Sequence, residues 1–132
     1  MTELTLEQAL QKGVEAHKAG NVQEADRYYT AILKAQPNHP DANHNMGVLA
    51  VGVGKLERAL PFFEKALVAN PNIEKFWLSY IGALFELEQK DPARIALNRA
   101  IALGFKSVEL DKFSKRLKTI RELVKTFYKK SN

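Results

Sequence analysis

Apolar residues recur along this chain at helical spacing, in paired blocks. Leu6, Leu10, Gly13 and Val14 mark one face of a first block, and Ala25, Tyr28, Tyr29, Ile32 and Leu33 one face of a second. Recurrence every three or four residues predicts amphipathic helices, and nowhere does the chain alternate with the period of a strand. Thr5 and Gln8 have the T-x-x-Q spacing of a capping box, which satisfies two of the open backbone groups at a helix start. A turn at Gly20-Asn21 ends the first helix, Asn21 with Glu24 opens the second, and Pro37 closes the pair because the residue before a proline is pushed out of helical geometry.

The same block returns after thirty-four residues: Gly13, Gly20, Ala25, Tyr29 and Pro37 are echoed by Gly47, Gly54, Ala59, Phe63 and Pro71. A third copy follows, with Ala93 and Ala100 answering Ala59 and Ala66, and Leu97 answering Phe63. A fixed period of this length means one helical unit stacked on copies of itself. The second copy predicts helices over about 41–52 and 56–69, joined at Gly52-Val53-Gly54. In the third, Asn72 is expected to cap a helix carrying Trp77, Tyr80, Ile81, Leu84 and Leu87. Asp91-Pro92 reads as an N-cap followed by proline in the first helical position, and Gly104 as a left-handed C-cap. Beyond Gly104, with Ser107 as its N-cap, a helix over 107–129 places Phe113, Leu117, Ile120, Val124 and Phe127 on one apolar stripe. It is expected to cover the open end of the stack.

These residues resemble the tetratricopeptide repeat, a helix-turn-helix unit of thirty-four residues. The resemblance lies in the small residue of the first helix (Gly13, Gly47), the turn glycine (Gly20, Gly54) and the alanine of the second helix (Ala25, Ala59, Ala93). The aromatic four residues later (Tyr29, Phe63), a second small residue (Ala66, Ala100) and the closing proline (Pro37, Pro71) complete it. Trp77 takes the aromatic position of the first helix, which Ala9 and Asn43 leave vacant. Ile32, Ile81 and Phe105 depart from the pattern. The resemblance implies an all-α fold of about seven helices, with helix-turn-helix repeats stacked as a right-handed superhelix, an α-solenoid. One domain over 1–132 would hold repeats at about 6–39, 40–73 and 74–107 and a capping helix at about 107–129.

It further implies a non-catalytic scaffold that binds a peptide or amphipathic segment of a partner protein along a concave groove lined by the first helices. The groove positions would be Glu7, Leu10, Val14 and His17, then Asp41, His44, Val48 and Val51, then Lys75, Leu78, Gly82 and Phe85. Members that grip the C-terminal carboxylate of chaperones use a clamp whose positions fall here on Leu10, Val14, Asn45, Lys75 and Ser79. Only Asn45 and Lys75 match, so no chaperone tail is expected as partner. Similar arrays also form N-terminal regions of bacterial glycosyltransferases, which gives a second reading: the substrate-docking part of a larger enzyme.

Composition narrows the chemistry. With 45% hydrophobic and 27% charged residues the chain has ordinary globular proportions, and with no cysteine it offers neither disulfide nor thiolate chemistry. The opening MTELTLEQALQKG lacks the apolar run of a signal peptide, and no apolar stretch is long enough to span a bilayer. A cytoplasmic protein is expected. Gly47, Gly52, Gly54 and Lys55 imitate a phosphate loop, but Val53 and Leu56 stand where Gly-Lys-[Ser/Thr] would require other residues. His17 and His44 lie on first helices without the spacing of a helical metal pair, and Glu7 with Glu15 and Glu86 with Glu88 read as solvated faces. No catalysis, metal or cofactor is expected.

The net charge of +5 is concentrated in residues 106–132, which carry nine Lys or Arg against three acids. Lys115, Lys118, Arg121, Lys125 and Lys129 fall opposite the apolar stripe and form a candidate anion surface. They read first as a solubilising face; docking to nucleic acid, an anionic membrane or an acidic protein is the alternative.

Overall fold

The computed structural model describes residues 3–131, without the side chains of Ile120, Arg121 and Ser131. Among these residues there are seven helices: α1 (Leu6–Lys18), α2 (Val22–Ala35), α3 (Pro40–Gly52), α4 (Leu56–Ala69), α5 (Glu74–Glu86), α6 (Lys90–Ala102) and α7 (Val108–Ser131). Helices α1/α2, α3/α4 and α5/α6 pack as hairpins. The first helices also touch along the stack, α1 with α3 and α3 with α5, and so form its inner, concave layer. The fold is a right-handed α-solenoid.

Local chemistry explains where the helices begin and end. The Gln8 amide donates to Thr5 Oγ1 at 3.1 Å and the Thr5 amide to Gln8 Oε1 at 2.9 Å, completing the capping box. The Glu24 amide donates to Asn21 Oδ1, and the Leu110 amide to Ser107 Oγ. Each hairpin turn is closed by the same backbone bond: Asn21 N to Ala16 O, Lys55 N to Ala50 O, and Gln89 N to Leu84 O, at 2.8, 2.8 and 2.9 Å. The bond needs a residue in left-handed geometry just before its donor. Gly20 and Gly54 supply it at φ 79°, and the third repeat uses Glu88 at φ 59°, where an L side chain is strained.

Two expected starts lie elsewhere. Ile73, not Asn72, caps α5, and the Asn72 amide instead donates a turn bond to Asn70 Oδ1. Helix α6 is capped by Gln89 and begins at Lys90, so Pro92 falls in its first turn, where an amide has no helical acceptor and proline loses nothing. Asp91 points to Arg94 at 3.0 Å as an exposed pair. Pro61, in contrast, sits well inside α4 without ending it.

The core runs down the contact between first and second helices. In the first two repeats a helix-one glycine meets a helix-two ring: a Cβ on Gly13 would lie 2.5 Å from Tyr29 Cε1, and one on Gly47 would collide with Phe63. In the third, the same places hold buried Ile81 and Leu97, a larger residue facing a smaller one. The joints between repeats are tied by side-chain donors. Asn43 Nδ2 donates to the Pro37 carbonyl at 3.0 Å, and Trp77 Nε1, thirty-four residues on, to the Pro71 carbonyl at 2.8 Å. The position vacant of an aromatic ring in repeat two is therefore filled by a polar equivalent.

Helix α7 only partly matches the expected cap. Leu110 is buried, and Phe113 and Leu117 pack on the core of the third repeat, but Val124 and Phe127 are exposed. The reason is length. At about 1.5 Å per residue the 24-residue α7 is about 36 Å long, whereas the 13-residue α5 and α6 reach only about 20 Å, so the cap overruns what it covers. Ile120 of the stripe and Arg121 of the basic set lie outside the described side chains.

Candidate partner-binding groove

Helices α1, α3 and α5 carry the predicted groove residues, and their environments fall into three groups. Leu10, Val14, His17, Val48, Val51, Leu78 and Gly82 are half-buried, Glu7, Asp41 and Lys75 are exposed, and His44 and Phe85 are buried. Within the half-buried group Leu10, Val48, Val51 and Leu78 each rest one flank on core side chains, so only part of each is available to another molecule.

His44 is a structural residue of the groove floor. Its Nε2 lies 2.7 Å from the Ser79 hydroxyl, bridging α3 to α5, and its ring stacks on Phe76 at 4.7 Å and tilts against Phe63 at 5.6 Å. Burial pushes its pKa below the ordinary histidine value, aided by Lys75 and opposed by the hydrogen bond to Asn45 and by Asp41. The lowered pKa favours the neutral imidazole. His44 is occupied by these contacts, and His17, on α1, is half-buried. Ser79, at a clamp position of the carboxylate-binding members, is engaged by His44.

The third repeat's end of the groove is covered by the chain itself. Phe113 of α7 stacks on Phe85 with centroids 5.0 Å apart and planes 7° from parallel. Arg116 places its guanidinium 4.6 Å above the same ring, and Gly82 has Phe113 as its nearest neighbour. The family resemblance put Phe85 in the groove and periodicity put Phe113 in the cap; that they meet depends on the angle at which α7 crosses α5. Their shared aromatic character was the available signal.

Other concavities lie away from these residues. A cleft of about 660 Å³ is bounded by Val22, Met46, Leu49, Val53 and Phe62, and one of about 570 Å³ by Leu67, Trp77, Tyr80, Ile95 and Arg99. Neither has a predicted groove residue in its wall. Among the described residues no helix is long and apolar enough to cross a membrane.

Helical hairpins in register, with an inner layer of first helices, define an all-α repeat solenoid. The sequence model of the tetratricopeptide repeat matches residues 10–72 and again 44–104, and the chain belongs to the tetratricopeptide repeat family. Members of that family are generally protein-interaction scaffolds. The chain is 35% identical over 78 residues to Photosystem I assembly protein Ycf3 of Prochlorococcus marinus (strain NATL1A), a match covering 57% of this chain and 44% of that protein. It thus spans less than half the length of that relative. Among solved structures it resembles the Arabidopsis OM64 TPR domain, with a TM-score of 0.77, 20% identity and coverage of 86% of this chain and 94% of that one. It also resembles the first TPR of Spaghetti (RPAP3) bound to the HSP90 peptide SRMEEVD, with a TM-score of 0.72, 22% identity and coverage of 88% and 92%. At these identities the two structures establish the fold.

Proposed function

We propose that the chain is a non-catalytic interaction module that holds an apolar or amphipathic segment of a partner protein against the concave side of its first helices, from α1 to the start of α5. The observation that carries this reading is the row of half-buried aliphatics Leu10, Val14, Val48, Val51 and Leu78, bordered by exposed Glu7, Asp41 and Lys75. Covering such a row removes apolar surface from water at about 25 cal/mol per Å², while the border charges fix register. The far end of α5 contributes little because Phe113 already occupies Phe85. A chaperone C-terminal carboxylate is not the ligand: Leu10 and Val14 stand at two clamp positions, and the Ser79 hydroxyl is held by His44.

Panning the immobilised domain against a displayed peptide library tests this. Enriched peptides should carry apolar residues at helical or alternating spacing, and should lose binding to Val14→Asp while keeping it to Ile95→Asp on the outer surface. Circular dichroism should show both variants folded. Peptides that bind Val14→Asp as well as the wild type would remove the groove from consideration.

A further inference from the structure

The distal half of α7 carries a second, independent surface. Every described side chain from Lys118 to Lys130 is exposed, among them Leu123 at 65%, Val124 at 49%, Phe127 at 69% and Tyr128 at 64%. Val124 and Phe127 continue, at the same four-three spacing, the stripe that seats Phe113 and Leu117 on the third repeat, and Leu123 and Tyr128 widen it. Four-three spacing is the seam one helix presents to another. The polar side is strongly one-signed: residues 112–131 hold eight Lys or Arg against the single acid Glu122.

We propose that this overhanging segment docks an acidic amphipathic helix of a partner protein, its apolar side on Leu123, Val124, Phe127 and Tyr128 and its carboxylates beside Lys125, Lys129 and Lys130. Two observations select this occupant. The seam calls for an apolar stripe of matching width, which a nucleic acid lacks. The charge calls for a negative partner, and a second α7 would set one cationic helix against another. A flat bilayer meets a steric objection: the stripe faces the side on which the repeats sit, so a membrane laid on Val124 would run into the stack. A helix about as long as the overhang, roughly 20 Å, fits that space.

The test uses the full chain and a synthetic two-heptad helix, about 21 Å long, with leucine at its seam positions and glutamate flanking them, followed by fluorescence anisotropy. Binding is expected, weakening more than about tenfold for Leu123→Asp/Val124→Asp and again for Lys125→Glu/Lys129→Glu. A peptide of the same composition with the leucines scattered should bind at least about tenfold more weakly than the ordered one. These positions are exposed, and circular dichroism of each variant should match the wild type. No binding, equal binding of the scattered peptide, or indifference to Leu123→Asp/Val124→Asp would overturn the proposal. So would a dimer in sedimentation velocity that Leu123→Asp/Val124→Asp dissociates, because the occupant would then be a second copy. Phosphatidylglycerol vesicles that capture the chain through the same residues would overturn it in favour of a lipid surface.

Discussion

Gly47 and Phe63 share one volume: a Cβ added to the glycine would fall against the ring, which is itself almost wholly buried and cannot swing away. Gly47→Ala should therefore destabilise the protein by about 1–3 kcal/mol, the range of overpacked cores, even though alanine is the better helix former by about 1 kcal/mol. The third repeat shows the compensated form, with Ile81 and Leu97 at these places. Gly47→Ile combined with Phe63→Leu should accordingly lose less than the sum of the two single changes, with a coupling of about 0.5–3 kcal/mol in urea denaturation. Additive losses would mean that the two positions do not compensate.

Burial of His44 makes stability depend on pH. Because burial lowers the pKa of His44 in the folded chain, the unfolded chain takes up a proton first as pH falls. The contribution is complete above the unfolded value of about 6.5 and declines below it until the depressed folded pKa is passed. The denaturation midpoint should fall between about pH 7.5 and about pH 5.5, and His44→Gln should flatten that slope. A variant as pH-sensitive as the wild type would assign the effect to other groups.

Glu88 is strained where its counterparts are glycine. Glu88→Gly should raise stability by about 1 kcal/mol, and Gly54→Ala should lower it by a similar amount, both measured by thermal or urea unfolding. A loss with Glu88→Gly would show that the side chain contributes more than its backbone costs.

Pro61 lies inside the continuous α4, where its missing N–H leaves one helical carbonyl without its usual donor. It is exposed, so alanine there loses no core contact. Pro61→Ala should stabilise by about 1–3 kcal/mol, read as a rise in unfolding midpoint; no gain would indicate that the break is needed for packing against α3.

Much of the fold could be read from the chain because its signals are local and repeated. Thr5 with Gln8, Asn21 with Glu24, and the glycines at 20, 54 and 104 state helix ends in a few residues each. Asn72 and Asp91 misled because good capping residues also serve in turns and first turns, and the backbone bonds of Ile73 and Gln89 carry no side-chain signature. The groove was less legible. The family resemblance assigns His44 and Phe85 to the groove, but whether they meet solvent depends on Ser79, Phe76 and Phe113, which come from other helices at angles no spacing encodes. The apolar stripe of α7 had one period throughout, and only the shorter reach of α5 and α6 decides that its second half is left uncovered.

Asn43 and Trp77 each reach back to a proline carbonyl that belongs to the preceding unit. A helix pair that melts thus releases not only its own core but also a donor holding its neighbour's last residue in place. Three units joined this way should melt as one, and a nick or truncation in the middle unit should be felt at both ends rather than trimming the array one step at a time.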